Sequence, residues 1–131
     1  MVEANIDALV AAAREARERA YAPYSGFAVG AAVRAGLRIF TGVNVENPSY
    51  PVSVCAERNA VAAMVDGGER SLGMVAIVTD ATEPTPPCGA CRQVLWEFGP
   101  GAIVVAQTLS GLRMTWLLEE LLPAPFERDA R

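Results

Sequence analysis

The three cysteines, Cys55, Cys88 and Cys91, are the only ones in the chain and fall in a C-x32-C-x2-C pattern, and its 131 residues contain no histidine. The pattern reads as one metal site rather than three separate thiols, which obliges two distant segments to meet in space. A carboxylate, Glu57, follows the first thiol by two residues. Zinc takes soft thiolates in tetrahedral geometry, and a structural site wants a fourth protein ligand. With no fourth cysteine and no histidine, the open position falls most naturally to water. That is the arrangement of a catalytic site.

The length suits one domain, residues 1–131, with a single core. Hydrophobic residues make up 52% and charged ones 20%, a balance that leaves apolar surface for other subunits to cover. The net charge of -4 comes with no run of Lys or Arg, which argues against affinity gained by neutralising phosphates. A small, weakly charged substrate fits better than a nucleic acid. An odd cysteine count grouped as metal ligands implies no disulfide framework, and a reducing cytoplasm would keep the thiols available. The N-terminus lacks a basic region followed by an apolar one, and no apolar run approaches a membrane span. The expectation is a cytoplasmic protein without membrane contact.

Apolar residues Ile6, Leu9, Val10, Ala13, Ala16 and Ala20 recur at helical spacing, predicting a helix over 6–20 with Asn5 as its N-cap. Residues 21–26 read as a turn, followed by strands over 27–33 and 38–45 joined tightly enough to be antiparallel. Gly30 and its neighbouring alanines imply close packing. A second helix spans 55–66, with Ser53 as its cap. A central strand covers 74–79, its run nearly unbroken in apolar character. A third helix opens at Cys88 and ends at Gly99-Pro100-Gly101. A strand over 102–106, an antiparallel edge strand over 112–116 and a short helix over 117–122 complete the order. The expected fold is α/β: a three-layer α/β/α arrangement around a five-stranded mixed sheet, with both cysteine-bearing helix starts at one sheet edge.

The stretches Cys55-Ala56-Glu57 and Pro86-Pro87-Cys88-Gly89-Ala90-Cys91-Arg92-Gln93 resemble the zinc-dependent cytidine deaminases that assemble as homotetramers. The resemblance continues through Tyr24-Ser25-Gly26-Phe27-Ala28-Val29-Gly30, through Asn44-Val45-Glu46-Asn47-Pro48-Ser49-Tyr50, and more faintly through the ending Pro123-Ala124-Pro125-Phe126. It implies the cytidine-deaminase-like fold and one zinc per subunit, held by Cys55, Cys88 and Cys91. Spacing alone makes Phe27 a core aromatic at a strand start; the resemblance places it beside a pyrimidine ring. It likewise turns a polar loop into a ribose grip formed by Asn44 and Glu46. Tyr50 goes to the pocket edge or a subunit contact, Ala56 joins the substrate-binding residues, and Phe126 reaches a neighbouring subunit's active site.

The implied reaction is hydrolytic deamination of cytidine and 2'-deoxycytidine, a step of pyrimidine salvage. Zinc would lower the pKa of a water and orient it toward C4, while Glu57 carries the proton. Three thiolates outweigh the charge of zinc, and Arg58 is placed to donate to a cysteine sulfur and drain that excess. Its other reading is a solvent-facing helix arginine. Arg92 reads as structural or interfacial. The nearest alternative substrate is an aminopyrimidine nucleoside antibiotic such as blasticidin S; a non-enzymatic zinc module is the alternative of a different class.

Overall fold

A computed structural model describes residues 2–128; Met1 and residues 129–131, the ends of the expected domain, lie outside it. The chain runs α1 (Val2–Arg17), β1 (Gly30–Ala35), β2 (Arg38–Val43), a 3-10 turn (Tyr50–Val52) and α2 (Ala56–Asp66). It continues through β3 (Met74–Thr79), α3 (Gly89–Phe98), β4 (Ile103–Thr108), β5 (Arg113–Leu117) and α4 (Leu118–Leu121). The sheet order is β2-β1-β3-β4-β5. Strands β3 and β4 pair in parallel; the β1–β2, β1–β3 and β4–β5 pairs are antiparallel. This is the expected five-stranded mixed sheet, with β3 at its centre and buried along its length.

Alternation along the central strands divides the core into two halves. Met74, Ala76 and Val78 face Ile6, Leu9, Val10 and Ala13 of α1. Val75 and Ile77 face the other layer, where Ala56, Ala60 and Met64 of α2 meet Leu95 of α3 and Leu118 of α4. A side chain as fully buried as Leu9 or Leu95 contributes about 1.5–3 kcal/mol relative to exposure. The α/β/α layering is therefore held by apolar burial on both faces of one sheet.

Glycines permit the closest approaches. A Cβ on Gly30 would stand 2.0 Å from the Ala13 carbonyl oxygen, so α1 rests directly on β1. A Cβ on Gly42 would stand 2.3 Å from the Ala60 nitrogen and 2.5 Å from the Ala56 oxygen, seating the first turns of α2 against β2.

Several boundaries differ from expectation. The first helix starts at Val2 and ends at Arg17, so Asn5 lies inside it and is not its cap, while Ala20 lies beyond it. The cap of α2 is Cys55 rather than Ser53, and Cys88 caps α3. Strand β1 begins at Gly30, not Phe27, and β2 ends at Val43. Strands β4 and β5 end later than expected, at Thr108 and Leu117.

Candidate active site

Both cysteine segments occupy helix starts on the same face of the sheet. Cys55 and Cys88 have extended backbone as N-caps of α2 and α3, and neither thiol is spent on a capping bond. Cys91 lies one turn into α3 and is buried. The three sulfurs lie within 4.8 Å of one another, with Cys55 Sγ and Cys88 Sγ 3.9 Å apart. Two sulfurs on a tetrahedral zinc, each about 2.3 Å from it, stand about 3.8 Å apart. The donor set therefore fits zinc. Among the described residues no further His, Cys, Asp or Glu joins the group, so the protein offers three ligands and leaves the fourth position open.

The electrostatics around the trio are uneven. Cys55 is held down at about 5, chiefly by a hydrogen bond from Cys91, with Arg58 and Cys88 assisting against burial. The same contact with Cys55, together with burial, pushes Cys91 well above the ordinary thiol range. Arg58 Nη2 donates to Cys55 Sγ at 3.6 Å, which puts its guanidinium against a ligand sulfur rather than out in solvent. Its Nε is buried without a hydrogen-bond partner among the described residues. Glu57, at the second position of α2, is only 6% exposed. Burial pushes its carboxyl up to about 7, with the Cys55 charge adding to the rise and Arg58 opposing it.

Glu57, Cys55 and Cys88 line an open cavity of about 730 Å³. Phe27, Asn44, Glu46, Tyr50 and Ala56 line it as well. The structure thus brings together every site residue expected from the sequence except Phe126, which is 74% exposed and lies outside this cavity. Phe126 is anchored from behind. Its amide donates to Gln93 Oε1 at 3.0 Å, and Gln93 Nε2 donates to its carbonyl at 2.8 Å. Arg92 is structural, donating to the Pro87 carbonyl at 2.7 Å and the Leu121 carbonyl at 2.8 Å.

The polar loop also has work within the protein. Asn44 Oδ1 accepts from the Val29 amide at 2.9 Å, and its Nδ2 donates to the Phe27 carbonyl at 2.8 Å. Glu46 Oε1 accepts from the amides of Tyr24 at 3.0 Å and Ser25 at 3.1 Å, and Oε2 accepts from the Ser25 hydroxyl. These bonds, the Ser25 hydroxyl's first, hold the Glu46 carboxyl below its usual range. Sequence reasoning missed Ser25 and Thr85 among the lining residues. Ser25 falls in the turn and in the stretch that carries the resemblance, with no role of its own in either, and the hydrogen bond between Thr85 and Thr79 Oγ1 at 3.2 Å depends on tertiary position.

The α/β/α sheet thus brings three thiols within reach of one ion and sets a buried carboxylate beside them at the wall of a cavity. Residues 3–107 match the family model described as the cytidine and deoxycytidylate deaminase zinc-binding region. The chain is 42% identical over 127 residues to a cytidine deaminase of Sporosarcina psychrophila, covering 95% of this chain and 93% of that one. It superposes on the cytidine deaminase of Burkholderia pseudomallei with a TM-score of 0.88 at 44% identity, covering 92% of this chain and 98% of that one. The corresponding enzyme of Mycobacterium leprae gives 0.80 at 39% identity, again with 92% and 98% coverage. The chain belongs to the cytidine and deoxycytidylate deaminase family, whose members are zinc-dependent hydrolases.

Proposed function

We propose that this chain hydrolyses cytidine and 2'-deoxycytidine to uridine and 2'-deoxyuridine with release of ammonia, a step of pyrimidine salvage. The observation that carries this reading is Glu57, buried beside three converging thiols in the wall of one cavity. Cys55, Cys88 and Cys91 would hold one zinc per subunit, and bound zinc supplies a water acidified enough to attack C4 at neutral pH. Glu57 accepts the proton of the attacking water and delivers it to N3; it then takes the second proton, from the hydroxyl now on C4, and gives it to the departing amine. The C4–N bond breaks as the new C4–O bond becomes a carbonyl. Burial raises the affinity of the Glu57 carboxyl for a proton, which suits a group that must both take and return one. Arg58 draws charge from the Cys55 sulfur and so limits how far three thiolates quench the metal.

Phe27 lies against the pyrimidine, with Ala56 beneath it and Tyr50 at the rim. Asn44 and Glu46 address the ribose 3'-hydroxyl, and the valences left to them support this. Each amide or carboxylate group retains capacity beyond its internal bonds. Phe126 closes a neighbouring subunit's cavity within a homotetramer, a reading supported by its exposure and its fixed backbone. The three free thiols suit a reducing cytoplasm, and no described helix is long and apolar enough to cross a membrane. The antibiotic alternative is not favoured, since the relatives described above are cytidine deaminases.

A panel of cytidine, 2'-deoxycytidine, cytosine and blasticidin S with ammonia detection tests the proposal. Release from the two nucleosides, well above that from cytosine and the antibiotic, is the expected result. Release from the antibiotic alone would overturn it.

A further inference from the structure

We infer that Ser25 is a positioning residue that locks the cavity's sugar-facing carboxylate to its base-facing aromatic. The Ser25 hydroxyl donates to Glu46 Oε2 and accepts from the Phe27 amide, the latter at 2.9 Å. One hydroxyl group therefore joins two residues that line the cavity and lie 19 positions apart in sequence. Gly26, between Ser25 and Phe27, turns the chain with a φ of +72°, a conformation that glycine adopts without strain, and the Phe27 amide meets the Ser25 hydroxyl across that turn.

Counting valences shows what this arrangement leaves for a ligand. Glu46 Oε1 already receives two amides, and Oε2 receives the Ser25 hydroxyl. A carboxylate accepts about four hydrogen bonds, so one acceptor position remains, on Oε2. Asn44 has spent one N–H and one lone pair on the backbone of Phe27 and Val29, so one N–H remains free to donate. One donor beside one acceptor matches a single hydroxyl group. The two amides hold Oε1, and the Ser25 hydroxyl holds Oε2; without that hydroxyl the oxygen that presents the free acceptor position loses its one partner and is left to swing about the anchored Oε1. The inference rests on the nucleoside reading above and adds to it a residue that acts through Glu46.

Binding of uridine and 3'-deoxyuridine to the zinc-loaded protein, measured by calorimetry, tests the role without requiring turnover. Ser25 is exposed, so truncating it opens no core cavity. Hydrogen bonds to charged groups contribute enough that Ser25→Ala should raise the Kd for uridine about tenfold. The Kd for 3'-deoxyuridine should stay within about twofold, because that ligand lacks the hydroxyl that Glu46 receives. Ser25→Thr keeps the donor and should restore uridine binding. Equal weakening of both ligands, no weakening of either, or a Thr variant that behaves like Ala would overturn the role. If Ser25→Ala does not fold, Ser25→Cys replaces it, with a weak S–H as donor and the same expected discrimination. If the unsubstituted protein binds neither nucleoside, the nucleoside reading falls. If it binds both alike, that reading stands and the role of Ser25 falls.

Discussion

Glu57 and Cys88 sit in the same cavity wall but do different work. Cys88 is one of the three thiols proposed to hold zinc and is exposed, so Cys88→Ala removes a donor without opening the core. The expected outcome is loss of both zinc and activity, checked by metal analysis beside cytidine turnover; full zinc occupancy in this variant would break the three-thiol assignment. This part of the site was legible in the sequence because it is written as local spacing, C-x-E and C-x2-C. The behaviour of Asn44 and Glu46 was not. Both bond to backbone groups 15 to 22 residues away, and no local pattern encodes that. Arg58 had two open readings, and its 3.6 Å contact with Cys55 Sγ favours the ligand-side one.

At the scale of elements, the sequence reading found every described α-helix and strand but misplaced several ends and missed the 3-10 turn at Tyr50–Val52. The first turn of α1 is largely exposed, so it carries no apolar signal, and the sequence reading began the helix at Ile6. The lag before β1 has a specific cause. Asn44 occupies the Val29 amide and the Phe27 carbonyl with its side chain, replacing ladder bonds that would have started the strand earlier. Gly42 gives the sharpest test of how elements carry the site. Adding a methyl there drives it into the backbone of α2 at Ala60 and Ala56, one residue from Glu57. Gly42→Ala should cost about 1–3 kcal/mol of stability from overpacking, read by urea unfolding, and should weaken zinc binding as the helix start shifts. Gly73→Ala, which meets nothing within 4 Å, should stay within about 0.5 kcal/mol of the parent. Equal effects from the two would contradict the close seating of α2 on β2.

The whole molecule leaves large apolar side chains in solvent, two of them, Tyr24 and Tyr50, lining the cavity. Tyr24 is 60% exposed, Val52 58% and Tyr50 84%, with Phe126 at 74%. A closed symmetric assembly would cover such a surface, and sedimentation should give a particle of about four times the 13.9 kDa chain mass. Phe126→Ala should retain zinc while losing most activity. A stable, fully active monomer would defeat the shared-site reading. Zinc held by the three thiols would tie together two helix starts separated by β3, so its removal should also lower the melting temperature. The most direct test of the account measures zinc content and cytidine deamination side by side for the parent and Glu57→Gln. Glutamine keeps the size of the side chain and can hydrogen-bond, but it cannot take and return a proton. The account predicts full zinc occupancy with turnover reduced by at least about 100-fold, the lower end of what a positioned proton carrier contributes. Parent-like turnover in Glu57→Gln, or loss of zinc in step with activity, would contradict it.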